Sequence, residues 1–450
     1  MNKSLTLIVI ARFLVVGLNV SADEPVSFRQ DIAPILINNC LACHGPKKAE
    51  GSYRIDSYER ALTDGDTGTP GFVTGELDGS EVYRRIISDD ADERMPLDGD
   101  PLPAEQIALV TRWIEEGAKY DADDPNATLA SIVPPPVYPG GPEVYPNTLP
   151  ITSLAFSADG QQLFAGGYHE ITVWNPADGK LVRRISNVGE RTYALTLSPD
   201  GQTLAVACGQ PGRLGEVRLF NPADGQLIKV LSTTSDVFFD VAYSPSGDRL
   251  AAASADGVLR VFDVASGEAQ LTITSHSDWV MAVAWSADGS KLASASRDKT
   301  AKVFDAKTGD LVVTFSDHGQ PVFGVAFHPD GKEVISSAAD KKVLQWKIED
   351  GKKSADVGSF GGEVYKLTSG GEFVFVGSAD KSARQYEIKT RKQIHAFAGH
   401  KDWVLSTAAH LGTKRMATGC FDGEVRIWNT EDGKPVVDFL AAPGFQKPAS

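Results

Sequence analysis

A repeated tetrapeptide limits the folds open to this chain. From Ile151 onward Ser-Ala-Asp-Gly or a variant recurs at 157–160, 198–201, 244–247, 286–289 and 328–331, with degenerate copies near Ser369-Gly370-Gly371 and Leu411-Gly412. Alternating apolar residues precede the copies, as in Leu154/Phe156 and Val283/Trp285. Alternation of that kind marks a half-buried strand. A second apolar strand, a turn and a third strand follow. The third strand ends in an aromatic and a polar residue: Trp174-Asn175, Phe220-Asn221, Phe262-Asp263, Phe304-Asp305, Trp346-Lys347, Tyr386-Glu387 and Trp428-Asn429. The period is close to 42 residues, which is room for four short strands per unit. One or two such sheets cannot bury both faces, whereas seven in a closed ring can.

Over about 150–443 these units resemble WD40 repeats, and seven of them imply an all-β seven-bladed propeller. The resemblance further implies a hydrogen-bonded tetrad of a His before the first strand, a Ser or Thr, a turn Asp and the aromatic. His400, Thr418, Asp422 and Trp428 fit all four positions, and His276, Ser294 and Asp298 fit three, with Phe304 as the aromatic. Asp256, Asp340 and Asp380 read as further turn aspartates. The first two repeats lack the His and are expected to be looser. Trp279 and Trp403 lie just before first strands, and the turn of the second repeat is lengthened by Gln210–Gly215, which carries Arg213. Exposed Trp and Arg are typical interface anchors, so these three residues mark an expected protein-binding face; packing against a neighbouring blade is the other role open to the tryptophans. Cys208 and Cys420 fall at equivalent strand positions in separate repeats and read as two buried small apolar residues, not a disulfide.

The amino-terminal part carries a different signal, Cys40-Leu41-Ala42-Cys43-His44. Two cysteines three residues apart on one helical face can each bond a vinyl group of one porphyrin, with the histidine at the iron. A zinc half-site needs about four N or S ligands, and no second Cys pair exists; a dithiol redox motif has no use for the His. The expected cofactor is therefore one covalent haem c on Cys40 and Cys43, with His44 as proximal ligand. Residues 23–122 hold no other histidine, and their one methionine is Met95, in the polar loop Glu93-Arg94-Met95-Pro96-Leu97. Met95 is the expected distal ligand to the haem iron.

Helix spacing is expected over 28–44, stopped by Gly45-Pro46. A second helix is expected from a Ser80 cap through Ile87, and a third from near Pro103 to Gly117 with Ile107, Val110, Trp113 and Ile114 on its apolar face. Phe28, Ile35-Leu36, Cys40–Lys48, Gly51, Arg54-Ile55-Asp56, Pro70-Gly71, Ser80, Arg94-Met95-Pro96, Trp113-Ile114 and Gly117-Ala118 together resemble the planctomycete-type cytochrome c domain, over about 26–119. The resemblance implies an exported monohaem electron-transfer module. Arg54 is a possible partner of a haem propionate or a solvated surface residue.

The reading is thus multidomain: a signal peptide at 1–22, a small all-α c-type cytochrome domain at 23–122, a linker at 123–149, the propeller at 150–443 and a tail at 444–450. Lys3, the apolar stretch Leu5 to Val20 and the small residues Val20-Ser21-Ala22 give the signal its form, although Arg12 interrupts the run. A retained membrane anchor is the other reading of that segment; after cleavage no membrane span is expected. Export, to the periplasm or beyond, also suits c-type haem. The linker holds seven prolines and reads as extended, with part of it free to lie along the propeller. The formal net charge of −15 argues against nucleic acid and anionic membrane as partners. About 21 acidic against 10 basic residues fall in 23–122, which favours a basic redox partner. The expected function is one-electron transfer by a cytochrome tethered to a protein-interaction platform, not enzymatic turnover. Two alternatives are a redox enzyme with a second cofactor in the propeller and a haem sensor with an open iron site.

Overall fold

The structure, a computed structural model, describes residues 24–46, 48–97 and 99–446. The expected signal peptide and the last four residues of the tail lie outside the described residues. The chain divides into two compact units, 1–136 and 137–450.

Short helices build the first unit. A π-helical turn, Phe28–Ile32, runs into α1 (Ala33–Asn39), followed by α2 (Tyr58–Ala61), α3 (Glu81–Ile86), α4 (Ala104–Glu115) and α5 (Leu129–Ile132). Phe28, Ile32, Leu36 and Trp113 are buried together. Phe28 meets Trp113 at 5.3 Å between ring centroids, and Phe72 meets Trp113 edge-on at 5.2 Å. The Trp113 Nε1–H is satisfied by the Lys119 carbonyl at 2.9 Å, so the indole is buried without an unpaired donor.

Two local expectations are corrected here. The first helix ends at Asn39 and not at Gly45-Pro46. At Cys40 the backbone leaves helical geometry (φ −123°), the amides of Cys40 and Leu41 both turn to Leu36 O, and the two cysteines sit on the turn that follows. Ser80 is the N-cap residue of α3, yet its side chain does not cap. The buried hydroxyl instead accepts from Val73 N and donates to Glu76 O, both at 2.8 Å, because it must hold the preceding loop.

The second unit is seven four-stranded antiparallel sheets, each made of consecutive strands. Blade 1 spans 154–185, blade 2 191–234, blade 3 238–273, blade 4 280–315, blade 5 322–359, blade 6 364–397 and blade 7 404–440. The first strands of successive blades pack side by side, and that of blade 7 returns to blade 1, which closes the ring. Turn chemistry explains the recurring tetrapeptide. In blade 4 Ser286 Oγ donates to Asp288 Oδ1 at 2.6 Å, Asp288 accepts from Ser290 N at 3.0 Å, and Gly289 takes the left-handed position (φ 69°). Those bonds hold the Asp288 carboxyl down at about 2.

The ring closes without exchanging a strand, and the proline-rich segment covers the seam. Its carboxyl-terminal half lies along the propeller. Tyr145 N donates to Pro443 O and Ile151 N to Cys420 O, both at 3.0 Å, which joins it to blade 7. Tyr145 Oη donates to Glu170 at 2.6 Å in blade 1, and Tyr138 Oη to Glu216 at 2.8 Å in blade 2. The other half packs on the first unit, where Leu129 is buried and donates its amide to Asp56 O at 2.9 Å. Among the described residues no helix is long and apolar enough to cross a membrane.

Candidate functional site

In the first unit Cys40, His44 and Met95 line one cleft. Backbone bonds fix each ligand candidate. His44 donates its amide to Cys40 O at 3.0 Å, and its carbonyl accepts from Ile55 N at 2.8 Å. Met95 donates its amide to Arg85 O at 3.1 Å, which ties its loop to the end of α3. Tyr53, Ile55, Val82, Ile86 and Leu102 complete mostly apolar walls. Tyr53 stands 5.6 Å from the His44 ring and donates its hydroxyl to Ala61 O at 2.6 Å. Burial, with Cys43 adding to it, pushes the Cys40 thiol up to about 12, so it is protonated at neutral pH. The His44 Nδ1 is buried without a hydrogen-bond partner.

These residues fit a haem. A thiol, an imidazole and a thioether converge on a cleft with mostly apolar walls, and a buried polar atom of the histidine is unsatisfied by protein. Arg54 is engaged elsewhere: its guanidinium pairs with Asp56 at 2.9 and 2.8 Å, and it does not line the cleft. Arg85 does line it. Arg85 and Tyr53 were not singled out from the sequence: Arg85 belongs to no spaced motif, Tyr53 sits unmarked within Gly51–Asp56, and tertiary packing brings both to the cleft.

On the propeller, Trp279 and Trp403 are 37% and 45% exposed, so neither is used up by a neighbouring blade. Strand pairing places the second-to-third-strand turns at the same end as the start of the first strands, since Val280 faces Ser296 and Val404 faces Cys420. Trp279 therefore shares this face with Arg297, whose guanidinium lies 4.4 Å over its ring, and Trp403 shares it with Phe421 at 5.5 Å. The lengthening expected at Gln210–Gly215 is a longer hairpin and not a longer loop: Gln210 pairs with Leu214, and Arg213 is exposed in the short turn between them, at the same end. Each blade also sends one residue to a collar around the channel mouth: Thr152, Tyr193, Phe239, Met281, Phe323, Tyr365 and Leu405. Phe239 joins the collar to Trp279 at 5.3 Å. Below it Lys366 of blade 6 reaches across to Tyr193 O at 3.2 Å, Phe239 O at 2.7 Å and Asp240 Oδ1 at 2.9 Å.

The tetrads are structural, with one correction. His276 bonds Asp298 at 2.8 Å and Ser294 at 2.7 Å. His318, outside the two sets expected above, forms a full tetrad with Asp340, Ser336 and Trp346. Its spacings to Ser336, Asp340 and Trp346 equal those of the His276 set, and that was the overlooked signal. The His400 set is incomplete. Trp428 donates to Thr418 at 2.9 Å, but His400 Nδ1 meets Cys420 Sγ at 3.2 Å, and its Nε2 is buried without a partner. In blade 4 Thr300 donates its hydroxyl to Asp298 at 2.6 Å and steadies it. Blade 7 has Glu424 at the equivalent position, and only its amide donates to Asp422, at 3.1 Å. Glu424 with His400 and Cys420 has the spacing of metal ligands, but its carboxylate is held by Arg426 at 2.8 and 3.1 Å. Cys208 and Cys420 are free and buried in separate blades.

Blades 1 and 2 hold charge pairs where the tetrad is missing. Glu170 pairs with Arg184 under Tyr145, and Glu216 pairs with Arg218 at 2.8 Å under Tyr138, with the guanidinium 4.5 Å from that ring.

Comparisons with known proteins agree with both units. Residues 40–99 match the family described as Planctomycete cytochrome C, which implies haem binding. Residues 144–175, 225–263, 267–305, 309–347 and 391–429 match the WD domain, G-beta repeat. A computationally designed protein, Ika8, has a similar fold: its crystal structure matches 65% of this chain and 87% of its own at a TM-score of 0.52 and 23% identity. A U3 snoRNP-associated protein-like protein of Arabidopsis thaliana is 34% identical over 65 residues, 14% of each chain. Apoptotic protease-activating factor 1 of Rattus norvegicus is 39% identical over 57 residues, which is 13% of this chain and 5% of that one. The periodic tryptophan protein 2 homolog of Schizosaccharomyces pombe is 28% identical over 95 residues, 21% and 11% of the two. The chain thus spans no more than 14% of the length of these relatives. It joins a planctomycete-type cytochrome c domain to a seven-bladed WD40-repeat propeller.

Proposed function

We propose that the chain is an exported monohaem c-type cytochrome that passes single electrons, carried on a propeller that docks it to a protein partner. The observation that carries the reading is the convergence of Cys40, His44 and Met95 on one cleft. A bound haem supplies an iron that cycles between Fe(II) and Fe(III). Cys40 and Cys43 would hold the porphyrin through thioether bonds, and His44, its backbone fixed by Cys40 and Ile55, would give the iron a nitrogen. Met95 would give it a sulfur, and thioether ligation would favour a high potential. The apolar side chains of Ile55, Val82, Ile86 and Leu102 would keep water from the group.

The acidic balance of this unit suits a basic redox partner, steered by charge. Protein binding by the propeller is supported by its exposed Trp279, Trp403 and Phe421 beside the collar. The test is made on the mature exported protein. After denaturation, one haem per chain is expected to stay with the polypeptide, and Cys40→Ala with Cys43→Ala to abolish it. Pigment that washes out of the wild-type chain with acidified acetone refutes the proposal.

A further inference from the structure

Blade 5 departs from blades 1 to 4 at three positions, and the three departures meet. At the turn after the first strand those blades carry Ser157, Ser198, Ser244 and Ser286, whereas blade 5 carries His328. Five residues on they carry Gln162, Thr203, Arg249 and Lys291, and blade 5 carries Glu333. In the third strand they bury Val173, Leu219, Val261 and Val303, and blade 5 buries Gln345. The fold asks for none of these replacements. Ser286 closes its turn by accepting from Lys291 N at 2.9 Å and donating to Asp288. Nor does a turn histidine need carboxylates beside it. His410 holds the matching position in blade 7, accepts from Thr413 N at 3.1 Å and has Arg415 in the place of Glu333.

In blade 5 His328 Nδ1 lies 2.9 Å from Asp330 Oδ1, and ligand atoms of His328, Asp330 and Glu333 all lie within 4.8 Å of one another. Two carboxylates at that range repel each other unless a cation stands between them. The turn supplies amide donors. Asp330 N gives His328 Nδ1 a 3.2 Å bond, which an ion would displace, and Lys332 N gives Asp330 Oδ1 one of 2.8 Å. Gln345 stands behind the cluster. It is 2% exposed, its amide nitrogen donates to the Glu333 carboxylate, and its Oε1 is buried without a donor. The amide thus orients Glu333 and keeps an acceptor to spare for a water on an ion. Imidazole with carboxylate oxygens is a zinc ligand set, and three protein ligands leave a fourth tetrahedral position for that water. We propose that His328, Asp330 and Glu333 bind one Zn²⁺ ion at the end of the propeller opposite Trp279 and Trp403, with Gln345 as a positioning residue. The site does not depend on the haem reading.

The experiment measures zinc binding to the full, mature chain by isothermal titration calorimetry at neutral pH, after metals have been removed with a chelator and dialysed away. Uptake of one ion per chain is expected. His328→Ser gives blade 5 the residue of blades 1 to 4, and Glu333→Gln gives it that of blade 1, so both variants keep a turn sequence this fold already uses. Each should weaken binding by about a hundredfold or more, and Gln345→Val, the residue of blade 4, by about tenfold. X-ray absorption at the zinc edge of the loaded wild type reads the ligands without any variant. It should show nitrogen and oxygen at about 2.0–2.2 Å with an imidazole among them. A sulfur shell at about 2.3 Å places the ion on cysteine and overturns the proposal. A wild-type chain that takes up no zinc overturns it too, as does unchanged affinity in both His328→Ser and Glu333→Gln.

Discussion

Replacing His400 with glutamine isolates an acid-sensitive contact in blade 7. Burial, with the nearby Arg426 charge adding to it, lowers the His400 pKa from 6.5 to about 4. The unfolded chain therefore takes up this proton first as pH falls. Stability from the neutral ring is complete above the unfolded value and is lost as pH drops from about 6.5 towards 4. Integrated from pH 7.5 to 4.5, the loss is about 2.5 kcal/mol for this one group. His276 and His318 are also lowered by burial, so the wild-type curve contains their share. Asp298 does not interfere. Burial alone would raise it, but bonds from Thr300 and His276 hold it at about 2. Urea titrations followed by circular dichroism at several pH values, on the wild type and His400→Gln, give the difference directly. Glutamine cannot charge, so the variant should lose less stability in acid by about 2.5 kcal/mol over this range. A variant that follows the wild type at a constant offset refutes the assignment.

Met95→Ala should lower the midpoint potential and open the iron to carbon monoxide, seen as a new Soret band; an unchanged potential and spectrum take Met95 out of the site. Ser336→Ala removes the acceptor of the buried Trp346 indole and the partner of His318 Nε2. It should cost about 2–4 kcal/mol in urea unfolding, and a loss below about 0.5 kcal/mol would show that the tetrad carries no weight. Tyr145→Phe leaves the buried Glu170 one donor short and frees the Tyr168 amide. It should cost about 1–3 kcal/mol and speed hydrogen exchange in both blade 1 and blade 7, whereas faster exchange in blade 1 alone would mean that the segment does not bridge the seam.

The propeller was legible in the sequence because its turns repeat a local chemistry. Ser286, Asp288 and Gly289 each do a job that few other residues can do, so the tetrapeptide recurs wherever the backbone reverses. The motif residues of the cleft were legible for a similar reason: covalent attachment of the expected haem would tie Cys40, Cys43 and His44 to one spacing, and Met95 is the one methionine of 23–122. What failed was whatever depends on neighbours far along the chain. Ser80 has the residue type and position of a cap, but the loop at Val73 and Glu76 claims its hydroxyl. His400, Thr418, Asp422 and Trp428 have the same spacing as the His318 set, yet His400 Nδ1 meets the Cys420 sulfur and not the aspartate. Arg54 sits in the motif-like Arg54-Ile55-Asp56, and that same motif supplies the carboxylate that occupies it.

Each of the five blades without a complete His tetrad carries a charge pair: Glu170–Arg184 in blade 1, Glu216–Arg218 in blade 2, Asp256–Arg260 in blade 3, Asp380–Arg384 in blade 6 and Glu424–Arg426 in blade 7. Blades 4 and 5 use His tetrads instead. A buried ion pair adds little net stability, but losing one partner costs about 3–5 kcal/mol, so such pairs punish any arrangement that leaves them uncovered. The Glu216–Arg218 pair is fully buried, and Tyr138 caps it; Tyr145 caps Glu170. Both tyrosines come from the proline-rich segment, where prolines already fix the backbone and reduce the entropy lost on docking. Strand exchange would close the ring through strand pairing, whereas here the segment bonds blade 7 through its backbone and blades 1 and 2 through its tyrosine side chains. Blade 7 has the pair without a tyrosine, and His400 beside it has an unsatisfied ring nitrogen. The seam should therefore open from the blade 7 side, and acid, which charges His400 next to Arg426, should open it first.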